Sequence, residues 1–79
     1  MSIELDLHGM RVDEMLGAVE QYLNDAVLAD LPYVRLVHGI GTGALRRALH
    51  DYLRNHPLAK SYRYGTPDEG GAGVTIVNL

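Results

Sequence analysis

The apolar pattern of this chain changes period twice between Ile3 and Leu53, and that alternation restricts the available folds more than any other feature. Ile3, Leu5 and Leu7 alternate with Glu4, Asp6 and His8, a period-two strand with one buried face. Val12, Met15, Leu16, Val19, Tyr22, Leu23, Ala26 and Val27 then recur at three- and four-residue spacing, which predicts an amphipathic helix over 12–29. Asp13 and Glu14 occupy its first turn, where the positive end of the helix dipole favours acids, and Asp30-Leu31-Pro32 breaks it. Tyr33 to Val37 repeats the strand pattern, with Val34 and Leu36 inward. Leu45, Ala48, Leu49, Tyr52 and Leu53 repeat the helical one, which stops at His56-Pro57.

Ala59 to Tyr64 reads as a third strand. Residues 65–73, with Gly65, Pro67, Gly70, Gly71 and Gly73, read as a flexible loop. Val74 to Leu79 is nearly all apolar, as expected of a strand inside a sheet. The resulting order is βαβαββ. Right-handed crossovers place both helices on one face of the sheet. The expectation is an α/β two-layer sandwich with a mixed four-stranded sheet, its other face left open to solvent or a partner.

Seventy-nine residues make one domain, 1–79, which buries only about 60–65% of its unfolded surface. A cleft between lobes is excluded, so any chemistry sits on an open face or in one loop. The absence of cysteine removes disulfides, thiolate–zinc sites and cysteine nucleophiles together. No stretch approaches the roughly 18–20 apolar residues of a membrane span, and no apolar-centred leader precedes the first strand. A cytoplasmic domain without membrane contact is expected.

The net charge of −3 is unevenly distributed. Residues 1–34 carry −6, residues 64–79 carry −2, and residues 35–63 carry +5 from Arg35, Arg46, Arg47, Arg54, Lys60 and Arg63 against Asp51. An anionic partner fits if the middle segment gathers its cations on one side; otherwise they are a solvated helix face.

Strand alternation turns Asp6 and His8 to the same side, near the carboxyl end of the first strand. His38 stands at the carboxyl end of the second. Ligands of open α/β sheets gather outside those ends. An aspartate beside an imidazole fixes its tautomer and raises its basicity, and two histidines can share the roles of general base and acid. Solvated residues at a strand end would give the same pattern. Asp6, His8 and His38 could also ligate a divalent ion, although no H-x-x-x-H spacing supports this.

His38-Gly39-Ile40-Gly41-Thr42-Gly43 leads into the second helix with Thr42 as candidate N-cap. Free amides at a helix start attract phosphate oxygens. Arg46 and Arg47 in that first turn oppose the helix dipole, a conflict that a bound anion removes. A tight strand-to-helix connection explains the glycines equally well. The spacing is not G-x-G-x-x-G, and the chain is too short for a dinucleotide fold. His50 and His56 fit helix-surface and helix-end roles. Tyr33, Tyr62 and Tyr64 are the candidate stacking aromatics, though none stands out as a platform.

Leu5-Asp6-Leu7-His8-Gly9, then Val37-His38-Gly39-Ile40-Gly41-Thr42-Gly43-Ala44-Leu45-Arg46, then Gly70-Gly71-Ala72-Gly73-Val74-Thr75-Ile76-Val77 resemble the Smr (small MutS-related) domain from residue 3 to residue 79. The turn and the Ala44-Leu45-Arg46 that follows it are most similar to the branch at the C-terminus of the bacterial MutS-type ATPase that suppresses homologous recombination. The resemblance implies an endonuclease that nicks DNA, with branched recombination intermediates as substrates and an N-terminal ATPase region in a longer protein. Alternatives are a non-catalytic nucleic-acid-binding module, or an RNA endonuclease acting at stalled ribosomes. It implies function for Asp6 and His8, and for His38, Gly39 and Gly41. In the ATPase-fused branch Arg often replaces His8, so a histidine base is not universal there. Combined with the residue reading, Asp6, His8 and His38 form the expected catalytic group. Arg11, Gly39, Gly41, Thr42, Gly43 and Arg46 form the expected phosphate grip. A Mg²⁺ or Mn²⁺ ion, if used, would sit on Asp6. A weaker reading is a regulatory domain binding a phosphorylated metabolite.

Overall fold

Both predicted helices and all four strands form. The computed structural model describes residues 1–79. The elements are β1 (Glu4–Asp6), α1 (Val12–Leu28), β2 (Tyr33–Val37), α2 (Ala44–Arg54), β3 (Ser61–Tyr64) and β4 (Val74–Asn78). The sheet order is β1-β2-β4-β3, with β1 parallel to β2 and β4 antiparallel to both neighbours. Both crossovers step in the same direction, so α1 and α2 lie together on one face and touch each other. This is the expected two-layer α/β sandwich, and the apolar β4 takes the interior position its composition implied.

The core forms where the periodic residues meet. Met15, Val19, Leu23 and Ala26 of α1, Leu49 and Leu53 of α2, and Val34, Leu36 and Val77 of the sheet are buried with Leu7. The end of α1 is set by backbone geometry as much as by Pro32. Asp30 adopts φ 58°, its N–H donates to the Val27 carbonyl, and the Leu31 N–H reaches back to Ala26. This is a left-handed helix stop, one that Asp tolerates better than most residues.

Several expectations need correction. β1 and β3 are shorter than their apolar runs, because each is an edge strand with a single ladder. The cap of α2 is not Thr42 but Gly43, at φ 86°; the Thr42 hydroxyl only accepts a 3.4 Å bond from the Ala44 N–H. A left-handed entry to the helix needs no Cβ, and glycine supplies it. Residues 65–73 are an ordered connection with 3₁₀ turns at Pro67–Glu69 and Gly71–Gly73.

That connection also closes part of the sheet face expected to be open. The Arg35 Nε and Nη2 groups donate to the Glu69 carbonyl at 2.9 and 2.8 Å, Arg63 forms a two-pronged pair with the Glu69 carboxylate, and Arg35 also pairs with Glu4. Val74 and Ile76 are consequently buried on the side away from the helices.

Candidate functional site

β1 and β2 are adjacent and parallel, with Asp6 opposite Val37, so their carboxyl ends open on the same rim. Just beyond β1, the chain turns at Gly9 and Asp6 meets His8. The Asp6 Oδ1 atom lies 2.7 Å from His8 Nδ1 and also accepts the His8 N–H at 3.1 Å. A carboxylate can only accept from Nδ1–H, so Nδ1 carries the proton. Nε2, which forms no bond in the chain, is then the basic nitrogen of the neutral ring. The His8 side-chain bond, first, and its backbone bond hold the Asp6 carboxyl below its ordinary range. Both side chains are open to solvent.

The glycine turn borders this pair, since a Cβ built on Gly39 would stand 3.7 Å from His8 Cβ. Gly73 clamps its start, its carbonyl accepting the His38 and Gly39 amides at 3.1 and 2.9 Å. The amides of Ile40, Gly41, Thr42, Leu45 and Arg46 donate to nothing within the molecule. Arg46 and Arg47 fold back over the turn, their guanidinium nitrogens 2.7 and 3.0 Å from the position of a Cβ on Gly43. Neither takes part in an ion pair. Arg11 lines a groove that residues 9–12 form with the turn, its guanidinium 3.3 Å from Asp13.

The cations of the middle segment do not form one patch. Arg35 and Arg63 are paired on the sheet face and Arg54 pairs with Asp51, which leaves Arg46 and Arg47 as the charge at the turn.

His38 does not reach the solvent beside His8. It is 4% exposed, with Nδ1 bonded to the Gly39 carbonyl and Nε2 to the Thr75 hydroxyl, each at 2.8 Å. The same hydroxyl bonds His50 Nε2 at 2.8 Å. The carbonyl requires His38 Nδ1 to be the N–H. Thr75 then donates to His38 Nε2 and accepts from His50 Nε2–H. Burial, first, pushes the basicity of both histidines down, and the positive charge of Arg46 adds to this. Both therefore remain neutral near pH 7, and His38 anchors the turn from within. His50, read as a helix-surface residue, packs against Tyr62 and Tyr64 at ring separations of 5.0 and 4.7 Å. Those two tyrosines are thus occupied, and only Tyr33 stands apart from this cluster. The signal for the His38–Thr75–His50 chain was the inward parity of Thr75 with Val77, because a polar core position demands partners.

A second cluster escaped the sequence reading. Glu20 of α1 accepts from the Tyr52 hydroxyl at 2.6 Å and from His56 Nε2 at 3.0 Å, tying α1 to the end of α2.

Motif, turn and topology converge on one family, whose model, the Smr domain, matches residues 5–79. The chain belongs to the Smr domain family. Endonuclease MutS2 of Bacillus cytotoxicus is 54% identical over the whole of this Smr domain, which covers 10% of that protein. The domain thus spans about a tenth of the curated relatives it matches. The crystal structure of the Smr domain of Thermus thermophilus MutS2 superposes with a TM-score of 0.94 at 46% identity, covering 96% of this chain and 95% of that one. YdaL of Escherichia coli, a stand-alone small MutS-related protein, shares the fold at a TM-score of 0.91 and 24% identity, over 98% of this chain and 63% of that one. No helix of the domain is long and apolar enough to cross a membrane.

As for metals, no three His, Asp or Glu side chains converge anywhere in the domain. Asp6 retains a free carboxylate oxygen, Oδ1 alone being engaged by His8. One carboxylate completed by phosphate oxygens and water is a common arrangement for Mg²⁺, so the residues suit an ion brought in with a substrate better than a resident one.

Proposed function

We propose that this Smr domain is a phosphodiester-cleaving endonuclease domain that nicks DNA. The observation that carries the reading is the unbonded Nε2 of an aspartate-held His8 beside five free amides and two unpaired arginines. A phosphate oxygen seated on the Gly41, Thr42 and Leu45 amides is held by dipoles that need no reorganisation. Arg46 and Arg47 neutralise negative charge on the non-bridging oxygens of the pentacoordinate phosphorus. His8 Nε2 takes a proton from the attacking water as its oxygen bonds to phosphorus, and Asp6 stabilises the imidazolium that forms. The ester P–O bond breaks, and the leaving oxygen takes a proton from solvent while the imidazolium returns its own to water. Asp6 would be the residue to hold a divalent ion, which would supply charge neutralisation at the phosphate.

His38 plays no part in proton transfer in this mechanism. Its bond to the Gly39 carbonyl fixes the start of the turn, so it is a positioning residue. Contacts to phosphate carry no sequence information, which suits cleavage selected by the shape of the nucleic acid, such as branched recombination intermediates. In the longer protein the domain would act beside the ATPase region that the family resemblance implies, and so limit recombination.

The test is nicking of supercoiled plasmid, branched DNA, single strands and RNA by the purified domain, with and without chelator. Loss of product in His8→Ala and Asp6→Ala at unchanged circular dichroism supports the assignment. Undiminished product in both variants places the chemistry elsewhere. Salt-sensitive binding with no product from any substrate makes the domain a binding module, and cleavage of RNA alone moves the substrate class to RNA.

A further inference from the structure

The groove between residues 9–12 and the glycine turn has a volume of about 430 Å³, within the range of small-ligand clefts. Its lining is not what a phosphate alone would call for. Met10, Val12, Ile40, Ala44 and Leu45 contribute apolar surface, between Arg11 on one side and the free amides on the other. Ile40 is 63% exposed and Val12 39% exposed, and both line this groove. Inorganic phosphate gains nothing from these walls. A flat, weakly polar group attached to a phosphate gains from both halves of the site.

We infer that the groove receives one unstacked, unpaired nucleotide, its base against Ile40 and Val12 and its phosphate on the turn. This rests on the proposed nuclease reading and extends it by naming the feature of the substrate that is recognised. The charge pattern supports this occupant: Arg11 is the one charged side chain in the lining, and Arg46 and Arg47 stand unpaired against Gly43 of the turn that borders it. In a regular duplex the base is stacked and paired, so its extrusion costs a few kcal/mol. At a branch point, bulge or single-stranded end that cost is already met. Selection of irregular DNA then follows from the groove without any base-edge hydrogen bond.

The experiment compares the affinity of the 79-residue protein for three oligonucleotides of one sequence. The first is a perfect duplex, the second carries one extrahelical nucleotide, and the third carries an abasic residue at the same bulge. A matched RNA set separates the two nucleic-acid sources. The bulged duplex should bind roughly tenfold tighter than the perfect one, in line with burial of one or two apolar side chains. The abasic bulge should lose that gain, and the ratio should fall to about one in Ile40→Ser and in Val12→Ser. Both positions are solvent-exposed, so these variants should fold. Equal binding of abasic and intact bulges, with Arg46→Ala still lowering affinity for all three, overturns the base groove and leaves the phosphate site standing. No binding to any of them overturns both. A dimer in sedimentation that nucleic acid fails to dissociate shows the groove covered by a second copy, which also overturns the inference.

Discussion

Replacing Thr75 with valine keeps the shape of the side chain and removes one hydroxyl. In the structure that hydroxyl is fully buried and holds both His38 and His50 at 2.8 Å. The Thr75→Val change strands His38 Nε2, an acceptor with no route to water. A buried group left unpaired costs about 1–3 kcal/mol. His50 is half-buried and recovers part of its loss through solvent, while the added methyl offsets up to about 1 kcal/mol. The expected net loss is about 2 kcal/mol, a large fraction of the roughly 4–12 kcal/mol available to a domain of this length. At about 4–8 °C per kcal/mol the melting temperature should fall by about 8–16 °C. Ring ¹⁵N shifts give the second readout: His38 should be the Nδ1–H tautomer and His50 the Nε2–H tautomer in the parent and in Thr75→Ser. Thr75→Val should release His50 from its tautomer and leave His38, still held by the Gly39 carbonyl, as Nδ1–H. An unchanged melting temperature, or His38 protonated on Nε2 in the parent, would refute the directed chain.

Other perturbations follow from the same geometry. Gly43→Ala forces a Cβ onto a residue at φ 86° and should cost about 1–2 kcal/mol in thermal denaturation. Because that Cβ would meet the Arg46 and Arg47 guanidinium groups, the variant should also bind nucleic acid more weakly. Glu69 is held at about 2, chiefly by Arg63, and Glu20 is lowered chiefly by the Tyr52 hydroxyl. The unfolded carboxylates bind protons first, so this stabilisation is complete above about pH 5 and drains as the pH falls toward 2; acid melting should show it, with a shallower slope in Glu69→Gln. Burial and Glu20 push the Tyr52 phenol up to about 12, so spectrophotometric titration should find it ionising well after an ordinary tyrosine. With only Arg11, Arg46 and Arg47 at the groove, the plot of log affinity against log salt should be no steeper than about −3.

The periodic apolar residues made most of the architecture legible: each helix and strand formed near its expected place, and Val74–Asn78 sits inside the sheet as its composition demanded. What escaped was set by contacts distant in sequence. Arg35 and Arg63 looked like members of a basic segment until Glu69 was brought beneath them by the 3₁₀ turns. His38 and His8 looked equivalent, both at strand ends and both before a glycine. They differ because Thr75, from the other end of the chain, buries one ring and leaves the other in water. Asp6 and His8 were readable as a pair, since they lie two residues apart on a strand end, and that short range is why their contact survived intact.

In the proposed reaction the unbonded nitrogen of His8 moves a proton during phosphodiester cleavage. Chemical rescue tests it most directly: His8→Ala, still folded and still bound to DNA, should regain nicking when imidazole is added, in proportion to the concentration of its neutral form. A variant that nicks as fast as the parent without imidazole, or that binds DNA normally yet gains nothing at any imidazole concentration, would contradict it.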